Sequence, residues 1–173
     1  ERLDLVDGAG RRVGGPIVAV RDGELDIRVD EVARDDDPLI TLVQALAKGG
    51  RDEQAVESAT ELGVTRIIPW AADRSIVQWK GPKAAKGRAQ WLSLATAATK
   101  QSRRAHIPHV DDLHASRELD GAIRDAVSRG ERVLVLHEVA ATPLASLTWD
   151  DPHQPVWLIV GPEGGISDTE VER

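Results

Sequence analysis

The group best placed for chemistry in this sequence is a single carboxylate set among three glycines and a proline. It is the run Gly161-Pro162-Glu163-Gly164-Gly165, which follows Val156-Trp157-Leu158-Ile159-Val160 and precedes Ile166-Ser167. The glycines allow a sharp turn and let the backbone approach a ligand with no Cβ in the way. Glu163 would repel a phosphate, but it can accept hydrogen bonds from a hydroxyl, an amine or a backbone amide. The spacing is neither G-x-G-x-x-G nor the Gly-Lys-Ser/Thr of a P-loop. The apolar run lacks polar alternation, as a strand buried on both faces of a parallel sheet does. Ser167 with Glu170 forms a capping box, so a helix is expected to start there. A loop at the carboxyl end of such a strand is where open α/β sheets bind ligands. A purely structural turn is the alternative reading of the same residues.

The second feature is charge segregation. The chain nets −7, yet no Asp or Glu occurs from Arg74 to Val110, where Arg74, Lys80, Lys83, Lys86, Arg88, Lys100, Arg103 and Arg104 lie. That stretch carries +8 and everything outside it −15. A solvated helix face normally mixes signs, so segregation favours a polyanionic partner such as nucleic acid. The plainer alternative is a basic helix facing acidic surface elsewhere in the fold. Lys48, Arg51, Arg74, Arg103 and Arg104 are the candidate RNA contacts, since Lys and Arg bind phosphates and planar Arg also stacks on splayed bases. Trp79 and Trp91 are candidate stacking platforms, although Trp91 shares helical register with Leu94 and Ala98 and reads better as core. No metal is expected: His106 and His109 flank Pro108 without ligand spacing, and Cys is absent. The lack of Cys also excludes disulfides and a thiolate nucleophile. No apolar run reaches the ~18 residues of a membrane helix. With no secretory signal either, a cytoplasmic location is expected.

These groups need a scaffold, and its pattern is legible. Residues 1–34 read as β structure, with Leu3-Asp4-Leu5-Val6, Ile17-Val18-Ala19-Val20 and Leu25-Asp26-Ile27-Arg28-Val29 separated by the hairpin signals Asp7-Gly8 and Asp22-Gly23. Three strands do not close a barrel, so this looks like part of a larger small-barrel domain. Arg34-Asp35-Asp36-Asp37-Pro38 is expected as the linker. Beyond it, strands over about 39–46, 65–70, 133–136 and 156–160 alternate with helices. One helix spans about 52–62 and closes at Gly63, one starts near Pro82, and one carries Leu119, Ile123, Ala126 and Val127 before Gly130. This alternation implies an α/β fold with a largely parallel, helix-covered sheet.

The order of several short motifs resembles the RsmE family of SPOUT-class, trefoil-knot RNA methyltransferases. They are Gln44-Ala45-Leu46-Ala47-Lys48-Gly49, Ala59-Thr60-Glu61-Leu62-Gly63-Val64, Gln101-Ser102-Arg103-Arg104 with Ile107-Pro108, Leu136-His137-Glu138, and Gly161 to Gly165. Each is weak alone; five in order over nearly the whole chain are specific. The resemblance implies S-adenosylmethionine-dependent methylation of N3 of a uridine in 16S ribosomal RNA of the small subunit. It implies a partial PUA-like β-barrel RNA-binding domain over 1–37 and a SPOUT methyltransferase domain over 38–173. A knot loop there would hold the cofactor, and members dimerise through their knots.

By the same resemblance Leu136, His137, Glu138, Gly161, Glu163, Gly164 and Gly165 are the cofactor-binding residues. For His137 and Glu138 the residues alone allow a solvent-facing strand end equally well. Glu61 is read as a structural or dimer-interface carboxylate. The family's knot-closing segment, a Leu-Gly-x-Arg-x-Leu-Arg-x-Glu-Thr-like run, has no counterpart here, and catalytic residues are expected beyond Arg173. The chain is therefore read as incomplete, and the partner as small-subunit ribosomal RNA or the assembled subunit. Two other readings stay open: a non-catalytic RNA-binding module of this fold, and a different α/β nucleotide-binding enzyme.

Overall fold

The computed structural model describes residues 1–172; Arg173, where the second domain read from the sequence ends, lies outside the described residues. Its first part is an antiparallel sheet of β1 (Arg2–Val6), β2 (Arg11–Arg21), β3 (Glu24–Ile27) and β4 (Glu31–Arg34). The Asp22-Gly23 signal is realised. Arg21 pairs with Glu24 across a two-residue turn with φ of 50° and 84° at its centre, the left-handed geometry that matches strand twist. β4 has no counterpart in the sequence reading. Its Glu-Val-Ala-Arg is too short and too charged to register, and it is fixed only by pairing with β2.

The second part is a six-stranded parallel sheet: β5 (Ile40–Ala45), β6 (Arg66–Ala71), β7 (His109–Val110), β8 (His114–Ala115), β9 (Arg132–Leu136) and β10 (Val156–Val160). The spatial order is β7-β6-β5-β10-β9, with β8 also on β6. α1 (Arg51–Glu61), α2 (Pro82–Gln101) and α3 (Ser116–Ser128) connect the strands, and the single turn α4 (Asp168–Val171) follows β10. The expected parallel α/β architecture is what the chain adopts. Alternate residues of β5 and β6 feed two cores. Leu42, Leu46 and Ile67 pack with Val56 of α1 and Trp91 and Ala95 of α2. Val43, Ile68, Trp70, Trp157 and Ile159 pack with Leu119 and Ala126 of α3.

Pro69 shows how sequence shapes this sheet. The carbonyl of Trp70 accepts from the N–H of Leu46, the residue after β5, so the neighbouring Pro69 turns its missing N–H to the other side. There the pairing is interrupted, β7 stopping opposite Ile67 and β8 starting opposite Trp70.

The segment 34–38 is not a loose linker. Asp35 N–H donates to Gly10 O (2.8 Å), and the Asp35 carboxylate pairs with Arg12 (2.9 Å). Across the same junction Gly10 N–H reaches Ala105 O and Ile107 N–H reaches Gly8 O, so the antiparallel sheet is bonded to the segment after α2.

Trp91 is core, 1% exposed, and Trp79 packs edge-on against it with ring centroids 5.1 Å apart. Trp79 is thus a half-buried packing residue instead of a free stacking platform. Its ring lies over Gly87, where an added Cβ would stand 2.4 Å from the indole. Gly to Ala inside a helix normally stabilises by roughly 0.5–1 kcal/mol. Gly87→Ala is expected to do the opposite and destabilise by about 1–3 kcal/mol, because the indole must be displaced. A raised melting temperature would refute this packing.

Candidate functional site

The strand order reverses between β5 and β10, since the chain runs outward from β5 to β7 on one side and returns through β9 and β10 on the other. In open parallel sheets such a switch point opens a crevice at the carboxyl ends of the strands. The glycine loop sits there. Pro162 O accepts from Gly165 N–H (2.9 Å) to close a turn, and Gly165 takes φ 74°. At Gly161 a Cβ would lie 2.6 Å from Ile166 Cγ1, so the buried Ile166 folds back onto bare backbone. At Gly164 a Cβ would lie 3.3 Å from Arg74 Cβ. The glycines are therefore required by the chain's own packing before any ligand is considered.

Glu163 accepts from a backbone amide, as its chemistry allows. Lys48 N–H donates to Oε1 (2.9 Å), and Arg51 Nη1 stands 3.3 Å from the same oxygen. Its own amide and that of Lys48 hold the carboxyl below the usual carboxylate range, and the nearby Arg51 and Lys48 charges add to this. On the other side Arg74 Nη1 donates to Gly164 O and Ile166 O, both at 3.3 Å. The loop is held from the segment after β5 through Glu163 and from the segment after β6 by Arg74.

The capping box forms: Ser167 N–H donates to Glu170 Oε2 (3.0 Å), and Glu170 N–H donates to Ser167 Oγ (3.3 Å). Glu170 reaches further, accepting at Oε1 from Ser116 Oγ–H (2.6 Å) and Asp73 N–H (2.8 Å). Burial opposes its ionisation, yet these bonds outweigh it and hold its carboxyl below the usual range. For a depressed carboxyl, the linked stability is present at neutral pH and is lost as pH falls through the folded pKa. Glu170, Ser116 and Asp73 were not singled out as site residues in the sequence. Only the Ser167–Glu170 spacing carried a signal.

Leu136 is the register partner of Val160, so His137 and Gly161 leave adjacent strands side by side. Leu136 and His137 line a cleft of about 630 Å3 with Val133, Leu134, Ala140 to Leu144 and Leu147. Glu138 is exposed, and His137 Nδ1 accepts a 3.4 Å bond from Val139 N–H. The seven residues share one edge but not one cavity: the glycine loop does not line this cleft.

The five basic candidates divide. Lys48, Arg51 and Arg74 flank the glycine loop. Arg103 and Arg104 lie at the opposite end, just before the junction with the antiparallel sheet. Arg103 is exposed, with φ 58°, and its carbonyl accepts from Arg12 (3.0 Å). Arg104 departs from the expected open contact: its side chain is 10% exposed and bonded to Thr60 O, Gly63 O, Val64 O and Asp37. The last carbonyls of a helix have no intrahelical donor, and Arg104 supplies one to the end of α1. Among the described residues no cluster of three His or carboxylate ligands could hold a metal, and no helix is long and apolar enough to cross a membrane.

Comparison with known proteins fits this geometry. Residues 35–173 match the RNA methyltransferase domain family. A ribosomal RNA small subunit methyltransferase E of Mycobacterium bovis is 37% identical over 173 residues, covering 99% of this chain and 66% of that protein. The chain thus spans just under two thirds of that relative's length. Two solved structures each cover 99% of the chain at TM-score 0.77. One is a putative methyltransferase from Legionella pneumophila in complex with S-adenosylmethionine (31% identical, 69% of that chain). The other is a ribosomal RNA small subunit methyltransferase E from Neisseria gonorrhoeae bound to S-adenosylmethionine (26%, 70% of that chain). With the family matched over four fifths of its length and the glycine loop at the switch point of its parallel sheet, the chain belongs to the RNA methyltransferase domain family.

Proposed function

We propose that this chain is the body of an S-adenosylmethionine-dependent methyltransferase acting on N3 of a uridine in 16S ribosomal RNA of the small subunit. The observation that carries the reading is the glycine loop, held at the sheet's switch point beside the strand end that bears Leu136, His137 and Glu138. The cleft along that strand end has the volume of a small-molecule site, and neither Lys nor Arg lines it. A sulfonium cation meets no repulsion there, so Leu136 and His137, the two candidates that line the cleft, fit this cofactor, with the glycine loop on the adjacent strand end. When bound, the cofactor supplies an electrophilic methyl group.

Leu136 and His137 would contact it from the cleft. Gly161, Gly164 and Gly165 would offer backbone groups across the crossing, and Glu163 would keep the loop closed against Lys48. The exposed Lys48, Arg51 and Arg74 would take RNA phosphates around the site, and Arg103 would take them at the far end, on a segment that Arg104 anchors. In this reading residues 1–37 belong to a PUA-like RNA-binding domain and 38–173 to a trefoil-knot domain that dimerises through its knot in the cytoplasm. The solved relatives with bound S-adenosylmethionine and the motif order support it.

The decisive experiment is calorimetric titration of the full-length protein that carries this chain with S-adenosylmethionine, ATP and NAD, followed by methyl transfer to small ribosomal subunits and mapping of the modified base. Binding of S-adenosylmethionine alone and methylation at uridine N3 are expected. Cofactor binding without transfer would leave a non-catalytic RNA-binding module, and preference for ATP or NAD would overturn the reading.

A further inference from the structure

We propose that Glu170 is a positioning residue for the glycine loop, acting through Ser116 and Asp73. The proposal rests on the reading of that loop as the cofactor cradle. A capping glutamate needs one oxygen for its own N-cap amide. Glu170 uses Oε2 for this, 3.0 Å from Ser167 N. Its other oxygen leaves the helix altogether and takes Ser116 Oγ–H at 2.6 Å and Asp73 N–H at 2.8 Å. Ser116 opens α3 and is 8% exposed, and its hydroxyl also accepts from Trp70 Nε1–H at 3.2 Å. Asp73 follows β6 immediately before Arg74, the residue whose guanidinium holds Gly164 O and Ile166 O. One carboxylate therefore joins the exit of the glycine loop to the end of β6 and the start of α3, next to the second clamp on the same loop.

A role confined to capping does not account for this arrangement. α4 is a single turn of four residues, and an isolated turn has no stability of its own. Its order comes from tertiary bonds, and Glu170 makes them. Ser167 Oγ stands 3.0 Å from both Asp73 Oδ2 and Glu170 Oε2, so the loop exit is drawn to the same point from two sides. Ile166 precedes Ser167 and packs on Gly161, which transmits the anchor into the turn itself.

Glu170→Gln keeps the shape and removes the anchor selectively. The Ser116 hydroxyl can reverse to accept from an amide NH2, but the backbone amides of Asp73 and Ser167 cannot. Whichever way the Gln side chain turns, one backbone N–H faces an NH2 group. The test is calorimetric titration with S-adenosylmethionine, with amide exchange of the loop followed in parallel. Glu170→Gln is expected to weaken binding about tenfold and to speed exchange at Gly164 and Gly165 while β9 stays protected. Once the cofactor is saturating, kcat should stay within about twofold, a split that general destabilisation does not produce. Ser116→Ala should weaken binding less, and the double variant should bind no worse than Glu170→Gln alone. If Glu170→Gln does not fold, Ser116→Ala carries the test by itself. A folded Glu170→Gln with the parent's affinity and loop exchange overturns the proposal, as does an unchanged affinity in Ser116→Ala when it stands alone. All variants are made in the full-length protein that carries this chain, and a parent protein that binds no S-adenosylmethionine defeats the functional reading itself, which the titration of the unaltered full-length protein reveals first.

Discussion

Arg104→Ala is expected to destabilise the protein by about 3–5 kcal/mol, while Arg103→Glu, one residue away, leaves stability nearly unchanged and weakens RNA binding. The two arginines are equivalent in sequence and opposite in environment. Arg104 is 10% exposed and donates to three carbonyls at the end of α1 and to Asp37, itself 19% exposed. Removing the guanidinium takes the donor from Gly63 O and Val64 O, leaves Thr60 O with Gly63 N–H alone, and among the described residues leaves Asp37 with His106 Nδ1 as its ion-pair neighbour, at 3.5 Å. For a chain of this size each kcal/mol shifts the melting temperature by about 2–4 °C, so a fall of roughly 6–20 °C should be seen. Arg103 is exposed, and among the described residues it is its backbone that is bonded, the N–H to Lys100 O and the carbonyl to Arg12, while its side chain is left to solvent. Reversing its charge should flatten the salt dependence of RNA binding by about one unit of slope. Equal melting temperatures for the two variants would show that the Arg104 cage is not a stabilising element.

That contrast marks where sequence reasoning ended. The parallel sheet was legible because β10 is apolar without alternation, because strand-like runs alternate with helical ones, and because Gly63 and Gly130 sit where helices stop, both with positive φ. The Asp22-Gly23 hairpin and the Ser167 capping box were legible because each is a local rule with a fixed spacing. Arg104 was misjudged because nothing local distinguishes it from Arg103. Its partners lie 40 to 67 residues away, in the carbonyls of Thr60, Gly63 and Val64 at and just after the end of α1 and in Asp37. β4 was missed for the same reason, its four residues being a strand only against β2. At the candidate site the loop's glycines were visible, but not that Glu163 bonded to Lys48 and the clamp of Arg74 tie it to the segments that follow β5 and β6. The reach of Glu170 to Ser116, 54 residues away, is tertiary too, although its spacing from Ser167 is written in the chain.

Gly164→Val is expected to weaken S-adenosylmethionine binding at least tenfold, about 1.4 kcal/mol. The physical ground is contact at one defined place. A Cβ at Gly164 would lie 3.3 Å from Arg74 Cβ and 3.4 Å from Arg74 O, already tighter than ordinary van der Waals contact, and valine adds two further carbons. Either Arg74 moves and releases Gly164 O and Ile166 O, or the turn opens and draws Glu163 from Lys48 N–H. Both routes disorder the cradle while leaving the cores that surround Trp91 and Trp157 untouched, since Gly164 is itself exposed. Gly165→Ala should act in the same direction more mildly, because φ 74° costs a residue with a Cβ about 1–2 kcal/mol. Gly121→Ala is the control: nothing lies within 4 Å of its added Cβ, and it should gain helix stability without changing affinity. Melting temperatures for all three separate loss of the loop from loss of the fold. A folded Gly164→Val that binds S-adenosylmethionine as tightly as the parent would remove this loop from the site and return the glycines to the purely structural role that Ile166 and Arg74 already give them.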